Sequence, residues 1–175
     1  MTEKQEMILD AARELFANDG FEATSTSKVA KKAGVSEGLI FRHYANKEGL
    51  LKAILEEGEA RARILFSDII LETQPVKVIT KYLQLPEMLE NDKHEQEFWK
   101  LQFKIKWETE NYGEHKLEPL QMALSNAFSK LGYKDAEQEA LNLIITMDGL
   151  ATRFFLQKGF DIKPSIEFLF KRYNL

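Results

Sequence analysis

Apolar residues along this chain recur at intervals of three and four and nowhere sustain the strict alternation of a strand, so the fold is expected to be all-α, with about nine helices. Ile8, Ala12, Leu15 and Phe16 mark a first helix that Asp19-Gly20 ends, and a second opens near Thr26. After Asn46, a natural N-cap, one stripe of Leu51, Ile54, Leu55, Gly58, Ala62, Leu65 and Ile69 predicts a long helix to about Ile70. Thr73 to Pro75 breaks that pattern, and a helix follows to about Gln84 before Pro86. A helix from about Asp92 to Asn111 carries the aromatics and stops at Tyr112-Gly113. Pro119 is expected in the first turn of the next, which ends at Gly132. Asp135 with Gln138 reads as a capping box for a helix reaching Lys158, and Pro164 opens the last one.

With 175 residues and no Cys, the chain can bury a core without disulfide staples. The longest stretch free of Asp, Glu, Lys and Arg runs from Pro119 to Ser129, 11 residues, too short to cross a bilayer. Residues 1–20 lack the apolar run of a secretory signal, so the expected location is the cytoplasm, away from the membrane.

The net charge of −4 at first argues against a polyanionic partner, but the charge is segregated. Residues 26–47 carry Lys28, Lys31, Lys32, Arg42 and Lys47 against Glu37 alone, a basic island in an acidic chain. The island has its own periodicity. Val29, Ala30 and Ala33 recur at helical spacing, Gly34-Val35-Ser36 interrupts, and Leu39, Ile40 and His43 recur again. Two short helices therefore meet at a glycine turn. Ala30 is small enough for a close crossing, Gly34 tolerates positive φ, Val35 and Ile40 plug the angle, and Ser36 is placed to cap the second helix.

The stretch from Gly20 to Leu50 resembles the N-terminal domain of the TetR family of bacterial transcriptional regulators. The residues that carry the likeness are Gly20-Phe21, Thr24, Ala30 with Gly34, Val35-Ser36, Gly38, the aromatic run ending at Tyr44, and Lys47 followed by Leu50. The resemblance implies a three-helix helix-turn-helix domain over residues 1–46 and a helical effector-binding and dimerisation domain over residues 47–175. It further implies that Thr26 and Ser27 approach the DNA backbone, that Ser36, Glu37, Gly38, Leu39 and Arg42 belong to the recognition helix, that Phe41 and His43 contact backbone and base edges, and that Lys47 takes a phosphate. Phe41 stands where the family usually has Tyr, which removes a phosphate-bonding hydroxyl, and Tyr44 stands where Phe is usual and could return one. Leu39 suits a thymine methyl, and Glu37 could accept from a cytosine amino group.

Beyond Leu50 the sequence matches no further motif. The helix from Ala136 has a broad apolar arc, and the last helix is apolar at Ile166, Leu169, Phe170 and Tyr173. Such helices bury two sides, and two copies of the pair make a four-helix bundle, so the expected homodimer interface is Ile144, Met147, Ala151, Phe154, Ile166, Leu169, Phe170 and Tyr173. Asp148 and Thr152 interrupt the arc, and the Asp148 carboxylate must find a partner inside the bundle or on a ligand. Trp99, Phe103 and Trp107 form one stripe of the aromatic helix and Phe98, Leu101 and Ile105 another. One stripe serves the core. The other is either core as well or the wall of a cavity for an apolar or aromatic effector, making Trp99, Phe103, Trp107 and Asp148 the candidate effector residues.

Catalytic signatures are missing. There is no Cys nucleophile, no glycine-rich phosphate loop, and His43, His94 and His115 fall in separate elements without metal-ligand spacing, so no catalytic residue, metal or cofactor is expected. The expected function is a ligand-responsive DNA-binding regulator, a repressor released from a palindromic operator by a small effector. The alternative is an all-α small-molecule-binding or catalytic dimer in which the helix-turn-helix is only structural.

Overall fold

A computed structural model describes residues 1–87, 92–108 and 114–175, with the side chains of residues 106 and 114–116 outside that description. Among the described residues the chain is all-α, with nine helices: α1 Glu3–Asp19, α2 Thr26–Ala33, α3 Glu37–Tyr44, α4 Lys47–Ile70, α5 Pro75–Leu83, α6 Lys93–Glu108, α7 Glu114–Lys130, α8 Ala136–Leu156 and α9 Lys163–Arg172. No described helix is long and apolar enough to cross a membrane.

Two local expectations about helix starts fail. The capping box forms at α1, where Thr2 Oγ1 accepts from the Gln5 amide and Gln5 Oε1 accepts from the Thr2 amide, and not at α8, where the Asp135 side chain makes no capping bond. Pro119 lies inside α7 instead of its first turn, where its missing N–H leaves one carbonyl of the preceding turn without a helical partner. The stop expected at Tyr112-Gly113 and the last residues expected of α6 lie outside the described residues.

Packing divides the chain into two compact units, Met1–Ala62 with Asp92–Tyr112, and Arg63–Asn91 with Gly113–Leu175. The first therefore takes in the opening turns of α4 and all of α6, beyond the residue 46 at which the sequence reading ends the N-terminal domain. Its core is built by Ile8, Ala12 and Phe16 of α1, Val29 and Ala33 of α2, Ile40 of α3, Leu50 and Ile54 of α4 and Leu101 of α6. Each fully buried Ile, Leu or Phe in such a core contributes about 1.5–3 kcal/mol.

A charged residue sits in this unit where the sequence reading placed none. Arg13 of α1 is 3% exposed; its guanidinium donates to Asp10 at 3.0 Å and to His94 Nδ1 on α6, with Glu57 of α4 at 3.9 Å. A buried guanidinium is tolerated because these partners surround it.

In the second unit, Ile79 and Leu83 of α5, Leu120, Leu124 and Phe128 of α7, Ala140, Leu143, Ile144 and Met147 of α8, and Ile166, Leu169 and Tyr173 of α9 form one core. Phe128 packs its ring against Tyr133 and Tyr173, both at 5.1 Å between centroids. The α4–α5 corner is clasped by Glu72, whose carboxylate accepts from the amides of Thr73 and Gln74 and from Lys81; the Gln74 amide, followed by the Lys81 ammonium, holds its carboxyl down at about 2.

Gly58 is the tightest constraint within the first unit. A Cβ there would fall 1.8 Å from Phe98 Cε2, so the α6 ring lies directly on the bare α4 backbone, and with Phe98 only 2% exposed the ring has no room to retreat. Gly58→Ala should therefore lower stability by about 1–3 kcal/mol despite the better helix propensity of Ala. Thermal unfolding checks this, and a melting temperature equal to or above that of the parent contradicts the close α4–α6 crossing.

Candidate nucleic-acid interface

The helix-turn-helix is assembled from local rules. Ser25 caps α2, its Oγ accepting from the Lys28 amide at 3.2 Å. Gly34 ends α2 with φ 67°, a conformation that costs glycine little, and its turn lets the Val35 amide reach the Ala30 carbonyl at 3.0 Å. Ala30 and Ile40, 4% and 0% exposed, fill the angle between α2 and α3. The preceding loop is equally built. Thr24, 1% exposed, donates its hydroxyl to the Gly20 carbonyl at 2.8 Å, and the Phe21 ring meets Phe16 edge-on at 5.2 Å.

This scaffold leaves one face of α3 outward. Gly38, Phe41 and Arg42, at the i, i+3, i+4 spacing of a single face, are exposed, as is His43. A Cβ at Gly38 would meet nothing, so this face has an open, flat start. Ser36 occupies the N-cap position of α3, yet its side chain makes no capping bond, contrary to the role the sequence suggested; the hydroxyl is exposed. Ser27 is exposed at the start of α2 as well.

Other candidates are engaged by the protein itself. Leu39 is half-buried and packs on the core of the unit. The Tyr44 hydroxyl donates to the Gln5 carbonyl at 3.4 Å, and burial followed by the nearby Glu57 charge pushes its pKa up, so this phenol braces α1 rather than standing in for the hydroxyl that Phe41 lacks. His43 Nδ1 lies 3.4 Å from Gln5 Nε2. Thr26 Oγ1 donates to Glu37 Oε1 at 2.5 Å, tying the first turn of α2 to the first turn of α3.

The basic island is likewise partly neutralised from behind. Lys28 pairs with Asp19 at 2.7 Å and Lys32 with Glu14 at 2.9 Å, and these hydrogen bonds hold both carboxyls below their ordinary range. Lys47 donates to the Phe21 carbonyl at 3.1 Å, lies 4.2 Å over the Phe21 ring, and has Glu22 at 3.8 Å. It thus bolts the start of α4 to the loop before α2 while keeping donors to spare for an anion. Lys31 and Arg42 are exposed, and no ion pair to either is found among the described residues.

The candidates outside this unit distribute differently from expectation. On α6, the stripe of Phe98, Leu101 and Ile105 is the core stripe. Trp99 and Phe103 are half-buried and Trp107 is 80% exposed, all three in the first unit, whereas Asp148 belongs to the second, where its charge bears on the buried Tyr82. A cleft of about 330 Å³ opens in the second unit over Ile70, Val78, Ala123 and Ala127, rimmed by Glu72 and Lys130, and none of the four effector candidates lines it.

Of the residues expected at a dimer interface, Ile144, Met147, Ile166, Leu169 and Tyr173 are buried in their own unit, and Ala151, Phe154 and Phe170 are half-buried, the two Phe packing on that same core. The arc of α8 and α9 is indeed two-sided, but the outward side is carried by other residues: Leu141, Ile145, Leu156 and Phe168, at 36%, 56%, 75% and 62% exposure. A shift of one position, from Ile144 to Ile145, changes the face.

Comparison with known proteins agrees with this geometry. Residues 8–54 match the family model described as bacterial regulatory proteins, tetR family. An uncharacterised helix-turn-helix transcriptional regulator of Bacillus subtilis, YvkB, is 50% identical over 50 residues, 29% of this chain and 26% of that protein. The transcriptional repressor AcnR of Corynebacterium glutamicum is 33% identical over 86 residues, 49% of this chain and 44% of that protein. The chain thus aligns with between a quarter and a half of the length of these curated relatives. Among solved structures, a Saccharomonospora viridis protein in complex with choline superposes with a TM-score of 0.75 at 18% identity, covering 99% of this chain and 98% of that one, a likeness of fold alone.

Because Lys47 serves the loop before it serves any ligand, Lys47→Ala should destabilise the free protein by about 1–2 kcal/mol through the lost carbonyl bond and ring contact. That corresponds to a melting temperature lower by a few degrees, read without DNA; an unchanged value would leave Lys47 with a surface role only. The turn at Gly34, the buried Thr24, the half-buried Phe21 and the match over residues 8–54 together make that segment similar to the helix-turn-helix region of the tetR family of bacterial regulatory proteins.

Proposed function

We propose that the protein is a DNA-binding transcriptional regulator that reads duplex DNA as a homodimer, acts as a repressor, and is released from a palindromic operator by a small apolar or aromatic effector. The observation that carries the DNA reading is the outward face of α3: a helix held rigidly by the Gly34 turn, with Gly38, Phe41 and Arg42 exposed on one side and the unused Ser36 hydroxyl at its start. Such a helix enters a major groove with its N-terminal residues at base edges, while Ser27, Lys31 and the spare donors of Lys47 meet phosphates.

Dimerisation follows from the unpartnered apolar face of α8 and α9. Leu141, Ile145 and Leu156 lie on one side of α8 with the exposed Gly149 and half-buried Thr152 between them, and a second copy of the pair covers them as a four-helix bundle. Two copies place two α3 helices on one duplex, which is the reason for a palindrome. Repression is the activity named for the AcnR relative, and a bound small molecule is the state of the choline complex. The relatives are regulators, and the reading here is of a binding protein of the cytoplasm and not an enzyme. For the effector the candidates are Trp99 and Phe103, half-buried on α6, the exposed Trp107 beside them, and Asp148 on α8.

The test is enrichment of genomic fragments with the full chain, followed by titration at several salt concentrations. A selected pseudo-palindrome whose affinity falls steeply with salt is expected. Ile145→Arg, on a surface position, should keep the helical content of the parent, sediment as a monomer and lose operator affinity. No enriched sequence, or a flat salt dependence, overturns the DNA reading; a dimeric Ile145→Arg places the interface elsewhere.

A further inference from the structure

The bond between Thr26 and Glu37 joins two residues that the family resemblance places at the DNA, and it takes the one proton that Thr26 could donate. A threonine hydroxyl has one proton to donate, and Thr26 gives it to Glu37 Oε1 at 2.5 Å. Ser25 already caps α2, so Thr26 is not needed there. Both residues are half-buried, and each is the first residue of its helix. The carboxylate therefore sits at the N-terminal ends of α2 and α3 together, where the aligned amides favour an anion. That is also where a phosphate of the DNA backbone would come.

Two anions do not share one hydroxyl proton. A phosphate that takes Thr26 must displace Glu37, and the released carboxylate stands at the start of the recognition helix facing base edges. Guanine and thymine present acceptors there and repel it, and adenine sets its N7 acceptor beside the amino group. Cytosine presents a donor alone. Of the cations around it, Lys28 and Lys32 are already held by Asp19 and Glu14, and Lys47 spends one donor on the Phe21 carbonyl.

We propose that Thr26 and Glu37 form a hand-over pair that sets operator specificity: where the half-site offers a cytosine amino group to Glu37, the carboxylate moves to the base and frees Thr26 to hold a phosphate, and where it does not, Glu37 stays on Thr26 and both contacts are lost. One base pair is thus read twice, once at its edge and once through the phosphate contact that it licenses. This rests on the duplex-DNA reading above and deepens it by naming the base and the residue pair.

The experiment is selection from random duplexes with the full-length parent, Glu37→Gln, Thr26→Val and the double variant, followed by titration of each on the selected operator and on operators with single G·C pairs replaced. Thr26→Ser, which keeps the hydroxyl, is the control and should select as the parent does. Far-UV circular dichroism and the melting temperature confirm that each variant is folded.

The parent is expected to require a cytosine at one position of each half-site and to bind the replaced site about 5- to 150-fold more weakly. Glu37→Gln should lose that requirement and bind operator and replaced site within about twofold of each other. On the operator, the losses from Thr26→Val and Glu37→Gln should fail to add. A Glu37→Gln variant that selects the same sequence as the parent, or additive losses, overturns the hand-over while leaving the DNA reading intact. A parent that selects no sequence removes the DNA reading and the hand-over with it.

Discussion

Everything attributed to the N-terminal unit depends on the left-handed turn at Gly34. With φ 67° at that residue, α2 stops, the chain folds back, and Ile40 of α3, with no exposed surface of its own, joins the core that holds Ala30 of α2. Any residue with a Cβ would strain that backbone. The rotation of α3 about its axis, and so the identity of its outward face, follows from which of its residues must be buried: Ile40 is fully in, Leu39 and Tyr44 rest on the core, and Gly38, Phe41 and Arg42 are left out. The proposed recognition surface is what remains when the core has been satisfied.

Around this turn the protein spends several of its charges on itself. Asp19, Glu14 and the Phe21 carbonyl hold three of the five basic side chains of the island, which fixes the α1–α2 loop and the start of α4. A surface with fewer unengaged cations attracts any duplex less strongly, so under the proposed function discrimination among sequences rests more on the geometry of α3 and on pairs such as Thr26 with Glu37. Arg13 adds a second kind of tie, joining α1 to Glu57 and His94, so that α4 and α6 bear on the same unit that carries α3.

What could be read from the sequence alone followed from interactions between near neighbours. The Gly34 turn, the close-packed Ala30, the Asn46 cap that accepts from the Gly49 amide at 2.7 Å, and the positions of all nine helices depend on residues within a turn or two of each other. What stayed hidden depended on distant partners. Arg13 looks like any surface arginine of an amphipathic helix until α6, some eighty residues later, brings His94 against it. The broad apolar arc of α8 announces two buried sides without saying which residues take which, so Ile144 and Ile145 could be separated only by the packing of α5, α7 and α9. The aromatic stripes of α6 posed the same ambiguity, which the Gly58 notch resolved by admitting Phe98 and leaving Trp107 outside. Lys47 shows a further limit: its position matched a phosphate-binding lysine, while its first obligation is to the backbone of its own loop.

The central claim is that two outward faces of α3 lie in successive major grooves of one duplex. Hydroxyl-radical footprinting of the full chain on an enriched genomic fragment tests it most directly, because it reports backbone protection at single-nucleotide resolution. The account predicts two symmetric protected patches centred about one turn of DNA apart, or slightly more, on the same face of the duplex. A single protected patch, patches without two-fold symmetry, or uniform cleavage at saturating protein would contradict it.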